Sequence, residues 1–100
     1  MQYKLSNVAA EELETILNDI HAVNPQAAFK YARIFKDTFR FLTENPFAAA
    51  ISEEDSDVHV WSIPNTLYSI PYCVVNDEIH ILSIFYQRRD HPKSWKEFSD

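Results

Sequence analysis

Two adjacent arginines and a histidine, Arg88-Arg89-Asp90-His91, follow an apolar run near the end of this 100-residue chain. In that run Ile79, Ile81, Ser83 and Phe85 alternate with His80, Leu82, Ile84 and Tyr86. Both sets are largely apolar, which predicts a central strand buried on two faces. A buried strand that ends in Arg-Arg-x-His delivers cations to a fixed place at the rim of a sheet. A guanidinium fork matches phosphate and carboxylate alike, so the chemistry on offer is recognition of an anion. His91 offers an imidazole that could move a proton. Tyr86 could stack on a base or donate a proton. Each has a plainer alternative: Arg88 and Arg89 as solvated charge or salt-bridge partners, His91 as a surface turn residue.

A second set of cations lies upstream. Lys30, Arg33, Lys36 and Arg40 recur at steps of 3, 3 and 4 residues, which lines them up along one side of a helix. Phe29 projects between Lys36 and Arg40, so it belongs with this basic rail and not with the core. The rail is either a solvated helix face or a landing surface for an acidic partner. Between the two sets sits an acid cluster, Glu53, Glu54, Asp55 and Asp57. It reads as a solvated loop or as an electrostatic shield for the basic end.

Other chemistries are excluded or unsupported. His21, His59, His80 and His91 are scattered, with no zinc-ligand spacing, so no metal is expected. The chain has no glycine, which rules out Gly-rich phosphate loops and the ATP, GTP and NAD enzymes built on them; no cofactor is expected. The single cysteine, Cys73, lies in an apolar segment and reads as a buried thiol. Neither a signal sequence nor a run of about 18 apolar residues is present, so the expectation is a cytoplasmic protein without a membrane partner.

These residues need a frame. The hydrophobic fraction of 46% supports one folded domain spanning residues 1–100. Residues 2–5 form a candidate strand. Ser6 or Asn7 can cap a helix from about Val8, with Leu13, Ile16, Leu17 and Ile20 on one stripe. Asn24-Pro25 reads as a cap followed by proline at the first helical position. The second helix runs to about Glu44, with Ala28, Ala32, Phe35, Phe39 and Leu42 as its inner stripe. Asn45-Pro46 ends it. Residues 47–57 read as a connector. Three strands follow at about 58–63, 67–75 and 78–86, and a brief terminal helix at about 92–98. Pro71 inside the second of these strands requires a bulge or an edge position. Without glycine, the tight turns fall to Asn45, Asn65 and Asn76-Asp77. Trp61 and Trp95 are core anchors or exposed contact residues. The order β-α-α-β-β-β predicts an α+β fold of two layers, a helical hairpin on a mainly antiparallel sheet.

This pattern resembles the RelE/ParE superfamily of bacterial type II toxin–antitoxin systems, whose plasmid-stabilisation members inhibit growth. Arg89-Asp90-His91-Pro92 and Trp95 resemble the family's closing Arg-Asp-Pro turn and aromatic residue, with one residue inserted. Tyr68-Ser69-Ile70-Pro71-Tyr72 resembles its Tyr-Arg-Ile-x-Tyr strand, Asn45-Pro46 its helix-ending proline, and Ala9 and Ala28 its helical alanines. The resemblance implies the same two-layer fold and a cognate antitoxin as partner. It implies one of two targets, DNA gyrase, poisoned by binding, or ribosome-bound mRNA, cut by a metal-independent endoribonuclease. In the nuclease branch Arg88, Arg89, His91 and Tyr86 would be the catalytic candidates. A degenerate, non-toxic interaction module and a homodimer also fit. Ser69 stands where the nuclease branch has a phosphate-binding arginine, and Tyr86 where a histidine is frequent. One positioned donor supplies about 3–4 kcal/mol of transition-state stabilisation. With a net charge of −6, these departures favour the gyrase branch.

Overall fold

The computed structural model describes residues 1–99. Strand β1 (Gln2–Leu5) leads into helix α1 (Asn7–Val23) and helix α2 (Pro25–Glu44), followed by β2 (Ala50–Ile51), β3 (His59–Ser62), β4 (Tyr68–Val75), β5 (Glu78–Ile81), β6 (Phe85–Tyr86) and a 3₁₀ turn at Trp95–Phe98. The sheet order is β1-β5-β4-β3-β2, with β6 also paired to β4. Only β1, parallel to β5, departs from antiparallel pairing. The α+β layering expected from the sequence is present, with the hairpin on one face of the sheet.

The helix ends follow the local chemistry. Ser6 caps α1: its Oγ accepts from the Ala9 N–H at 3.0 Å and donates to the Leu82 carbonyl at 2.8 Å, so the cap also ties the helix to the sheet. Asn24 caps α2 by accepting from the N–H groups of Gln26 and Ala27 at 3.1 and 3.2 Å. The β4–β5 hairpin turns on Asn76 and Asp77, at φ of 51° and 60°, the geometry of a two-residue turn that favours Asn and Asp when glycine is absent. Asn65 takes φ of 62°. Asn45 was expected to share this role but sits at φ −137°; it ends α2 by donating from its side chain to the Phe41 carbonyl at 3.0 Å instead.

Two apolar clusters sandwich the sheet. On the helical face Ala9, Phe35, Phe39, Leu42, Ile70, Tyr72, Ile79, Ile81 and Ile84 are buried together. On the far face Val58, Leu82, Phe85 and Trp95 form a smaller cluster closed by the terminal turn. Trp95 is a core anchor, whereas Trp61 is half-buried against Phe41 at 5.0 Å. The connector 47–57 contains a strand the sequence does not announce, β2. It is held by the Tyr72 hydroxyl, which donates to the Pro46 carbonyl at 2.8 Å, and by a 2.9 Å bond between His59 Nδ1 and the Ala49 carbonyl.

The third strand of the sequence reading is broken, and Pro71 breaks it. The Leu82 N–H donates to the Pro71 carbonyl at 2.9 Å, so the proline's main chain faces this neighbour, to which it can offer no N–H. The register passes from Tyr72↔Ile81 to Ser69↔Phe85. Two residues of β4 therefore face three, Leu82, Ser83 and Ile84: a bulge with one extra residue. An odd insertion swaps the faces beyond it. Ile84 joins the helical-face cluster and Phe85 the far one, the reverse of an unbroken alternation from Ile81.

Candidate functional site

The bulge decides where the end of the chain points. Its freed donors are taken by one carboxylate on α1. Glu12 Oε1 accepts from Ser83 Oγ at 2.7 Å and from the Ile84 N–H at 3.1 Å, while Oε2 accepts from Arg89 Nη1 at 2.9 Å. The Arg89 guanidinium also lies 4.7 Å from the Phe85 ring centre and 5.8 Å from that of Phe98. It keeps about half of its surface open, with the side chain 46% exposed. In the sequence Glu12 is one of two adjacent carboxylates in the early turns of α1; nothing in its spacing links it to residues more than seventy positions away.

Tyr86 falls on the helical side. Its ring lies 5.6 Å from that of Tyr68, which in turn meets Tyr31 and Phe35 of α2. Tyr86 and Arg89 line one groove of about 310 Å³ with Val8, Glu12, Ile16 and Ile84. His91 goes the other way. Its ring sits against Phe85 at 5.4 Å and Trp95 at 4.9 Å, on the far face. The two proton-transfer candidates are therefore on opposite sides of the sheet. Ser69 also faces away from the helices, where Gln87 Nε2 donates to its Oγ at 3.0 Å. Arg88 is exposed and makes no ion pair among the described residues.

The acid cluster keeps Glu53, Glu54 and Asp57 exposed, as a solvated loop does. It also clasps the basic end, in line with the shield alternative. His91 Nδ1 lies 2.9 Å from Glu54 Oε1, and Lys96 Nζ lies 3.4 Å from Asp57 Oδ1. Asp55 accepts from Ser94 Oγ at 2.9 Å and from the Trp95 N–H at 2.6 Å, and Trp95 Nε1 donates to Ser52 Oγ at 3.1 Å. Glu54 in turn accepts from Ser52, whose hydroxyl is the largest cause holding this carboxyl below its ordinary range; its own backbone N–H and the charge of His91 act in the same direction.

The basic rail is where the helical spacing puts it. Lys30, Arg33, Lys36 and Arg40 are all exposed, and none makes an ion pair among the described residues. Arg33, Lys36 and Arg40 line a shallow groove with Ala32 and Asp37. Phe29 stands beside them, 72% exposed, touched edge-on by His21. Among the described residues no three His, Cys, Asp or Glu side chains gather as a metal site would require, and no helix is long and apolar enough to cross a membrane. Two surface features result, an arginine-tipped groove at the end of the sheet and a cationic helix face.

The family model for the ParE toxin of the type II toxin-antitoxin system, parDE, matches residues 3–91. Among solved structures, a chain from the chromosomal ParDE TA system of P. aeruginosa is similar at 26% identity and a TM-score of 0.74, over 86% of this chain and 95% of that one. No curated protein matches.

Proposed function

Because the chain belongs to the ParE toxin family of type II toxin–antitoxin systems, we propose that it arrests growth in the cytoplasm by binding an essential target, DNA gyrase before ribosome-bound mRNA, and that a cognate antitoxin neutralises it. The observation that carries the preference for binding over RNA cleavage is the separation of His91 from Tyr86 across the sheet. General acid–base cleavage needs both proton-transfer groups within reach of one phosphate. Here one packs on Phe85 and Trp95 and the other on Tyr68. The pairing of Arg89 with Glu12 is the salt-bridge alternative for that residue and weakens it as an anion contact; Arg88, exposed and without an ion pair among the described residues, is the guanidinium left for a target.

In this reading Arg88 and Arg89, with Tyr86 as the groove wall, contact the target. The antitoxin lays an acidic segment along Lys30, Arg33, Lys36 and Arg40, with Phe29 as an apolar anchor. Induced expression tests it. Growth arrest with stalled gyrase–DNA complexes, relieved by the small gene adjoining this one, is the expected result. Cut mRNA on ribosomes with gyrase untouched would assign the chain to the nuclease branch, and His91 and Tyr86 would then be catalytic residues. Harmless expression would make it a non-toxic interaction module.

A further inference from the structure

The outward face of the helical hairpin carries two unlike charge stripes side by side. On α1, Glu11, Glu14, Asn18 and His21 follow at steps of three and four residues; on α2, Phe29, Arg33, Lys36 and Arg40 do the same. Such steps keep side chains on one face, and all eight residues are exposed. The His21 and Phe29 rings meet edge to face at 6.5 Å, so the stripes share one side of the hairpin at its tip. α1 holds four carboxylates, Glu11, Glu12, Glu14 and Asp19, and neither lysine nor arginine, whereas the exposed cations of the hairpin are all on α2. No ion pair joins the two helices among the described residues. Asp37 lies among the cations of α2, so that stripe keeps a net positive charge and the α1 stripe a net negative one.

We propose that this face binds a second copy of the same chain, about a two-fold axis running along the hairpin between its helices. That operation lays α1 of each copy over α2 of the other. The levels agree. Glu14 lies ten residues before Asn24, and Arg33 and Lys36 lie nine and twelve after it; Glu11 lies thirteen before, between the levels of Lys36 and Arg40. At equal rise per residue, each carboxylate of one copy meets the cations of its partner twice over. An axis set across the hairpin would put acid on acid, so charge selects the first arrangement. The tips supply apolar contact, with Val23 88% and Phe29 72% exposed. The inference rests on the hairpin's charges and not on toxicity: a harmless chain can still pair. In the free protein the second copy covers the rail that an antitoxin would claim.

Sedimentation equilibrium of the purified full chain, without antitoxin, tests this. A monomer–dimer equilibrium is expected at about 50 mM salt, weakened about tenfold near 0.5 M as the screening length shortens. The double reversal Arg33→Glu with Lys36→Glu is expected to give a monomer that still unfolds in one cooperative transition, at a melting temperature independent of protein concentration. Adding Glu11→Lys and Glu14→Lys to the same chain is expected to restore the dimer. A monomer at low salt, a dimer indifferent to the reversal, or open-ended assemblies would overturn the proposal. The growth assay reports separately on the toxin reading.

Discussion

Arg89 holds its guanidinium 2.9 Å from the carboxylate of Glu12, a residue 77 positions earlier in the chain. The pair joins the end of the sheet to the first helix. The same carboxylate serves the buried Ser83 hydroxyl and the N–H of Ile84, so one side chain satisfies the bulge and aims the arginine.

These roles separate by substitution. Glu12→Ala strips acceptors from two buried donors and is expected to lower stability by about 2–4 kcal/mol. Glu12→Gln keeps an acceptor for Ser83 and Ile84 but loses the charge facing Arg89; its cost is expected to be about 1 kcal/mol or less. Urea unfolding measures both. Equal losses would mean that the ion pair, and not the bulge, is what Glu12 serves.

Arg88 and Arg89 are expected to behave differently despite their adjacency. Arg88→Ala removes an exposed side chain that makes no ion pair among the described residues and should leave stability within about 0.5 kcal/mol, yet abolish growth arrest if it contacts the target. Arg89→Ala also loses the Glu12 pair and the stacking on Phe85, a cost of about 1 kcal/mol. Toxicity plates scored beside thermal melts distinguish the two. Full arrest by Arg88→Ala would remove that residue from the contact surface.

Trp95→Ala is expected to cost about 3–5 kcal/mol, the range for emptying a buried aromatic site. Asp55→Ala, which removes the acceptor of the Ser94 hydroxyl and the Trp95 N–H, should cost about 1 kcal/mol, as loss of a cap does. A near-neutral Trp95→Ala in denaturant melts would show the far-face cluster to be dispensable.

Acid should loosen the clasp between the acid cluster and the chain end. Glu54 is held below the ordinary carboxylate range by Ser52, its own backbone N–H and His91. A carboxyl lowered in the folded state binds its proton less readily there than in the unfolded chain. Its contribution is therefore present above the ordinary range and is lost as pH falls through the lowered folded value. Glu54→Gln is expected to narrow the difference in melting temperature between neutral pH and about pH 3. The same difference with and without the substitution would exclude Glu54 as a source of acid sensitivity.

Burial, reinforced by the nearby charge of Asp57, pushes the Cys73 thiol up. The thiolate is the reactive form, so labelling by a disulfide reagent at about pH 8 should run slower than for a free cysteine. Labelling as fast as free cysteine would contradict the packing of β4 against the far-face cluster.

Local chemistry was legible in the sequence and long-range chemistry was not. Asn24-Pro25 marks the start of α2 and Asn76-Asp77 the hairpin turn, because a cap and a positive φ depend on neighbours within a few residues. Pro71 warns of a bulge. It does not say that the bulge opens in the facing strand, where Ile81 to Phe85 reads as unbroken alternation. The partner that relieves it, Glu12, carries no local sign of the task. The acid cluster reads as a solvated loop because the groups that engage it, Ser94, Trp95, His91 and Lys96, are about forty residues further on. The rail was legible as a face; what covers it depends on a surface that periodicity alone does not describe.

The parallel pairing of β1 with β5 has a consequence for synthesis. Residues 2–5 leave the ribosome before residues 78–81 and must wait for them before they have a strand to join. Ser6 waits for Leu82 and Glu12 for Ser83, Ile84 and Arg89. Contacts so distant in sequence form late and slowly. A nascent chain made only as far as α2 thus has no strand for β1 to pair with. The sheet edge, and any harm that depends on it, waits for residues 78–89 to be made.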